Sequence, residues 1–591
     1  MSEAPGSASS QQKKIGFSGD QVANAGVETT NDLGERPVHG AASPRRTRRS
    51  IIRRETGIAG LIVACVVLFS LYVRVADYGF YEDDYWGVVP YFKTPPSEMW
   101  ARTISDLQTW PTGRPLNHIL PRWFSWLGYH LAGVQGIYFL GFLVHSTNAF
   151  LVYLLLRRWL GHWAAVLAGC FFVLLPVDTT RIFLLHSAHV HTSLTFLLVA
   201  LLINRTRYWL LSYPIAGLSL LSYETAFLPF IVFPLFFVGS GKRISRWLIH
   251  LAGCGTVLFI VFGIRLWRGE SRANSLISGP GEMLWRALSS LWIGPETCLR
   301  ILAKAILQAP HGQQPFALLF AMLIALLVVL LLRMFNKPDM ATAETQNRSK
   351  ILTVFLAGLA SWIFAYALTL VNYPPTQETG RFTSTHVAAV FGLACAIAAV
   401  AAYLRSFRTS PLKVAATTLM TILVAMFTLY AFQIQSGFAA AWAQERRFWQ
   451  QVIQLCPDIA PNTRIILVGV EPAQNKFIKS NSWADPLVLG DAFSWGAAPL
   501  LFYYDGAGPV ADIRFDDGQV TWKPKFWGDQ RETLNLNNVI ILRDDGSNIS
   551  RIDEFQMREI PIPLHTKTLE STQPHASPTP LTGFGRFLLN N

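Results

Sequence analysis

A chain of 591 residues that is 51% hydrophobic and only 15% charged carries more apolar length than one water-soluble core can bury, since soluble domains are about a quarter charged. The formal net charge of +13 comes largely from basic clusters flanking apolar runs. It is therefore read as a topology signal, and nucleic-acid binding is a poor second reading.

Residues 1–50 are rich in Ser, Gly, Ala, Gln and Asn with few large apolar groups, which predicts a disordered, basic-ended cytoplasmic tail. The tail is too long and polar for a signal peptide, so the first apolar run is expected to act as an uncleaved anchor. About 20 helical residues cross a bilayer, where every backbone group must pair internally. Suitable runs recur at 57–73, 135–156, 163–180, 186–203, 208–222, 225–240, 247–266, 316–333, 351–371, 385–404 and 413–433, about eleven spans. The stretch from Trp209 to Val238 reads either as two short spans or as one kinked helix around Tyr223-Glu224.

Basic residues set the orientation, because short cytoplasmic loops retain Lys and Arg. Arg45, Arg46, Arg48, Arg49, Arg53 and Arg54 precede the first span, while Arg157, Arg158, Arg205, Arg207, Lys242, Arg243, Arg333, Lys337, Arg405 and Arg408 follow alternate spans. An odd number of spans then places the region beyond about residue 436 outside. There, Arg464–Val470 and Asn538–Leu542 read as strands, Asp544-Asp545-Gly546 as a turn, and the stretch from Phe438 to Pro457 as a helix. The expected organisation is a tail (1–50), a transmembrane domain (51–435), a small extracytoplasmic α/β domain (436–565) and a loosely ordered end (566–591). Cys65, Cys170, Cys254 and Cys395 fall inside spans; Cys298 and Cys456 fall outside, where free thiols are favoured over a disulfide.

Folding the spans in this order gathers polar residues on the outer face. The first outer loop, 74–134, opens with Tyr81-Glu82-Asp83-Asp84-Tyr85-Trp86, continues through a surface helix at 95–107 and the segment Gly113-Arg114-Pro115-Leu116-Asn117-His118, and ends in an aromatic-rich helix at 116–131 suited to the headgroup layer. Later outer turns bring Asp178, Arg181, His186, His189 and His191, then Glu224, then Gln377, Glu378, Arg381 and His386. A carboxylate such as Glu224 between two short spans is costly unless paired or functional. The three close histidines could ligate a metal, but their apolar neighbours favour substrate contact or interface placement. No internal repeat and no glycine-rich nucleotide motif occurs.

In these residues the chain resembles the GT-C membrane glycosyltransferases, a superfamily that includes protein O-mannosyltransferases and bacterial transferases acting on lipid A and other surface glycans. The resemblance rests on the early Asp83-Asp84 pair, Gly113-Arg114-Pro115-Leu116, Pro176 to Arg181, Ser222-Tyr223-Glu224 and Gly380-Arg381-Phe382. Many relatives have Asp-Glu in place of Asp83-Asp84, and often Tyr where Phe382 stands. The resemblance implies a GT-C-like fold and inverting transfer of a sugar from a polyprenyl-phosphate donor to a hydroxyl on a glycan, lipid or protein, in a bacterial inner membrane. It assigns Asp83 as base with Asp84 beside it, Arg381 as donor-phosphate ligand with Arg114 and Arg181 as further choices, and Glu224, His118 and His189 to substrate. It requires no tightly bound cofactor and leaves a divalent metal undetermined. Two competing readings are a lipid-linked glycan flippase and a glycan polymerase or ligase. A flippase needs polar residues along a path through the membrane, whereas here they concentrate on one face; a polymerase or ligase is expected to rely on Arg and His of a large late loop.

Overall fold

The computed structural model describes residues 44–237, 243–270, 279–311, 315–334, 348–367, 375–407 and 410–456, seven short strands between 464 and 551, and residues 581–589. Residues 1–53 form one unit and residues 54–591 another. Most of the expected tail lies outside the described residues, but helix α1, Pro44–Val67, begins before the tail's expected end.

Each of the eleven expected apolar stretches overlaps a helix among the described residues. Counted by length and composition among the described residues, six helices are long and apolar enough to cross a membrane, and the chain is a polytopic helical membrane protein. After α2, Pro96–Thr109, comes α3, Pro115–Leu174, 60 residues. A straight helix of that length would run about 90 Å, three times the apolar thickness of a bilayer. It is instead broken at Ala132-Gly133 and at Gly161, where φ is +78°. The first piece is the amphipathic segment expected at 116–131, and the other two carry the expected second and third spans.

Helix α4, Thr192–Ile203, and α5, Ser212–Ser222, lead to Tyr223, whose extended backbone (φ −153°, ψ 115°) stops the helix one residue before Glu224. The ambiguous stretch is thus two short helical segments, with the second running over Glu224–Phe237. Then follow α6, Arg243–Trp267, α7, Pro280–Gln308, α8, Pro315–Met334, α9, Arg348–Phe364, and α10, Val387–Arg405. Helices α9 and α10 pack closely because their contact is lined by small residues; a Cβ on Gly392 would sit 2.5 Å from the Gly358 carbonyl oxygen. Helix α7 is not among the expected elements, since Glu282, Arg286, Glu296, Arg300 and Lys304 interrupt its hydropathy. It nonetheless buries Cys298, Ile301 and Ala305 while exposing Leu284, Trp285, Leu288 and Trp292.

Helix α11, Ser410–Leu455, runs 46 residues, about 69 Å at 1.5 Å per residue. The last span and the helix expected separately near Phe438 are one element, and the boundary expected between 435 and 436 lies inside it. Beyond it, β1 (Arg464–Gly469), β2 (Leu501–Tyr504), β6 (Val539–Asp544) and β7 (Ile549–Arg551) form a sheet of order β2-β1-β6-β7, parallel except for β7. The β-branched cores of β1 and β6 suit a central parallel pair. Strands β3 (Arg514–Asp516), β4 (Gln519–Trp522) and β5 (Glu532–Asn535) make a second, antiparallel sheet. The end of the chain departs from the expectation of loose order: Gly583–Leu589 form helix α12, because Phe584 and Leu588 find a buried apolar seat. All six cysteines are free, and Cys298 receives a hydrogen bond from the Tyr366 hydroxyl at 3.4 Å.

Candidate active site

The acidic segment is held by its aromatic neighbours. Tyr78 donates to the Leu71 carbonyl and to Gln435, Tyr81 donates to the Phe438 carbonyl, and Tyr138 donates to the Gly79 carbonyl at 2.5 Å. Between them Glu82 is forced to φ +46°, a left-handed conformation that a non-glycine residue adopts only when its surroundings over-determine it. The turn separates the two aspartates that follow.

Asp84 faces inward and is fully buried. Its Oδ1 accepts the Leu185 N–H at 2.8 Å, and its Oδ2 accepts the N–H groups of Tyr81 at 3.1 Å and Leu184 at 3.4 Å. Burial pushes this carboxyl up to about 8, against the pull of those three donors. Asp84 thereby ties the acidic turn to the segment before α4. Asp83 faces the other way: its Oδ2 meets Arg381 Nη2 at 2.6 Å, while Oδ1 has no hydrogen-bond partner of ordinary geometry among the described residues. Burial raises the Asp83 carboxyl, and the Arg381 guanidinium and Trp86 indole pull it back.

Arg381 is delivered from the other end of the chain by Gly380, whose φ of +85° is open to glycine and strained for other residues. The turn is fastened to Thr179, which donates to the Gly380 carbonyl and accepts from the Gly380 N–H at 3.1 Å. The Arg381 side chain stays 36% exposed, so it can reach a ligand.

A second charged group lies alongside. Glu224 Oε2 receives Arg114 Nη1 at 3.1 Å and Oε1 receives Arg265 Nη2 at 3.0 Å, and Arg265 Nε also donates to the Gly113 carbonyl at 2.9 Å. Arg114 stacks on Tyr223, whose hydroxyl reaches Ser384 beside Arg381 at 3.4 Å. His118 packs against Trp86, which connects this group to the Asp83 turn. Asp83 with Arg381, and Glu224 with Arg114 and Arg265, thus form two ion-paired groups, bridged by the Trp86–His118 and Tyr223–Ser384 contacts. Arg381, Arg114 and Arg265 bring three guanidiniums to these two ion-paired groups, the kind of donor that holds a phosphate in planar, bidentate fashion.

Two expected site residues stand elsewhere. Arg181 is buried, paired with Asp178 at 3.7 Å and bonded to the Val173 carbonyl; His191 meets the same aspartate at 3.3 Å. This places Arg181 in an internal ion-pair cluster. His189 is buried as well, its Nδ1 paired with the Leu185 carbonyl at 2.6 Å, with its ring against His186 and Tyr223; it borders the site from behind. Among the described residues no three His, Cys, Asp or Glu side chains converge as metal ligands would.

Arg265 escaped the sequence reading. A signal existed: an arginine closing α6 at the end expected to lie outside breaks the rule that basic residues stay inside.

A model of the dolichyl-phosphate-mannose-protein mannosyltransferase family matches residues 114–267. The GT-C resemblance stands. The match begins at Arg114 and includes Glu224 and Arg265, so all three members of that ion-pair group lie within it, while Asp83 and Arg381 lie outside. One solved structure is also similar, that of ArnT from Cupriavidus metallidurans in the apo state, at 15% identity over 73% of this chain and 84% of that one. Its TM-score of 0.30 is too low for that likeness to bear on the site. No curated protein matches.

Proposed function

We propose that this chain is an inverting glycosyltransferase that moves a sugar from a polyprenyl-phosphate donor to a hydroxyl acceptor at the outer face of a bacterial inner membrane, with its N-terminus cytoplasmic and its C-terminal region outside. The observation that carries the reading is the Asp83–Arg381 pair at 2.6 Å, which joins a base and a phosphate ligand drawn from loops nearly 300 residues apart.

The chemistry needs both groups. The acceptor oxygen attacks the anomeric carbon, the bond from that carbon to the phosphate oxygen breaks, and the phosphate leaves with the electron pair. The hydroxyl proton passes to Asp83. Phosphate leaves without being protonated, so a second carboxylic acid of the glycosidase kind is not required. Charge building on the phosphate is met by Arg381, with Arg114 as a second cation. In the free protein Asp83 and Arg381 neutralise each other; an arriving phosphate competes for the guanidinium and leaves Asp83 facing the acceptor. Asp84 holds the turn, and Glu224 and His118 border the sugar and acceptor.

The test is transfer by the purified protein from polyprenyl-phosphate sugars to candidate hydroxyl acceptors. Asp83→Asn is expected to abolish product while the protein stays folded. Transfer retained in Asp83→Asn would overturn the mechanism.

A further inference from the structure

The last residues of the chain touch the segment that carries the acidic pair. In α12, Phe584, Phe587 and Leu588 fall on one face at helical spacing. Phe584 and Phe587 meet the ring of Phe80 with centroids 5.7 and 5.8 Å apart, Phe584 also meets Tyr85 at 6.4 Å, and Phe587 stacks on Trp442 at 5.8 Å. Phe80 and Tyr85 bracket Asp83 and Asp84 in sequence, and Phe80 is completely buried.

The helix is fastened as well as packed. Gln450 of α11 donates to the Leu588 and Leu589 carbonyls at 3.2 and 3.3 Å, satisfying two acceptors that a helix end leaves open. The Thr582 N–H donates to the Ala492 carbonyl at 2.8 Å. Gly585 passes so close to that carbonyl that a Cβ would lie 2.5 Å from its oxygen. From beneath, Tyr85 donates to Glu445 at 2.8 Å, so α11 grips the same turn that α12 covers.

We propose that α12 is a positioning element: the C-terminal helix wedges Phe80 and Tyr85 and thereby sets the orientation of Asp83 towards the reacting hydroxyl. The effect passes through the two rings that α12 meets. This rests on the transferase reading for its consequence in catalysis, but not for its structural part.

The experiment compares the full chain with a chain ending at Pro580, and with Phe584→Ala in the full chain should the shortened one fail to fold. The structural readout is hydrogen exchange of residues 79–87, which needs no substrate. Exchange there is expected to quicken at least about 10-fold while α9 and α10 stay as protected as before. The catalytic readout is transfer, with kcat falling about 10- to 100-fold, as small misplacements of a reacting group do, and KM for the donor within about 3-fold. A synthetic peptide of residues 581–591 added to the shortened protein is expected to restore both, and Phe584→Leu to keep most of both. Unchanged exchange at 79–87 in a folded variant overturns the proposal, as does quickened exchange that leaves kcat intact in an active enzyme. If no variant or parent transfers sugar, the exchange result still decides the wedge, and the transferase reading fails separately.

Discussion

Replacing Arg381 by Gln tests the base and its partner together. Two opposite charges about 4 Å apart interact by about 4 kcal/mol at an effective dielectric constant near 20. Because the Arg381 side chain is 36% exposed, solvent screening reduces this to about 2 kcal/mol. Losing the guanidinium removes the charge that pulls the Asp83 carboxyl back, so burial should push it higher. The sign matters: the base works only when ionised, so kcat/KM falls as pH drops through its pKa, and in Arg381→Gln that acidic limb should move to higher pH. The plateau should also fall about 100- to 1000-fold, as when a single donor to a developing anion is removed. Arg381→Lys keeps the charge and loses the planar fork, so it should hold the limb near its wild-type position while the plateau remains low. The assay is initial transfer rate against pH at subsaturating donor. An acidic limb that does not move in Arg381→Gln would refute Asp83 as the base.

Asp84→Asn should alter stability more than chemistry. In the wild type the folded state keeps a proton that the unfolded chain loses near pH 4, so stability should fall as pH rises from about 4 to about 8; in the variant that slope should largely vanish when the melting temperature in detergent is followed against pH. Arg265→Gln removes one of the two guanidiniums bonded to Glu224 and the donor to the Gly113 carbonyl, and should cost about 1.5 to 3 kcal/mol for each charged hydrogen bond lost, measured by thermal unfolding; Glu224→Gln in the same background should recover part of it. Gly380→Ala places a side chain at φ +85° and should cost about 1 to 2 kcal/mol, with donor KM rising because Arg381 is re-aimed.

What could be read from the sequence was whatever a local pattern encodes. The apolar runs are local, and their ends already separated the three pieces into which a 60-residue helix is divided. Asp83 and Arg381 could be placed on one face because counting spans is enough to assign sides. Pairings across the fold were not legible: nothing near Glu224 announces Arg265, which lies 41 residues away. The inward turn of Arg181 was hidden for the same reason, since a position beside the surface does not reveal that Asp178 pairs with its side chain. Helix α7 was hidden by its charges, which break a hydropathy run without breaking a helix. The C-terminal helix was hidden by its shortness, because seven residues acquire stability from the surface they meet and not from propensity.

Helix α11 is a single rod of 46 residues, and its inner half and its outer half share one screw. Inserting one residue near Gln435 would turn everything beyond it by about 100° and advance it 1.5 Å. Glu445 would swing away from Tyr85, and Trp442 from Phe80 and Phe587, though no residue in any contact had been replaced. Four inserted residues bring the phase almost back to zero while lengthening the rod by about 6 Å. Activity plotted against insertion length should therefore recover in part near four, and the rod's pitch would be written into a rate measured at its side.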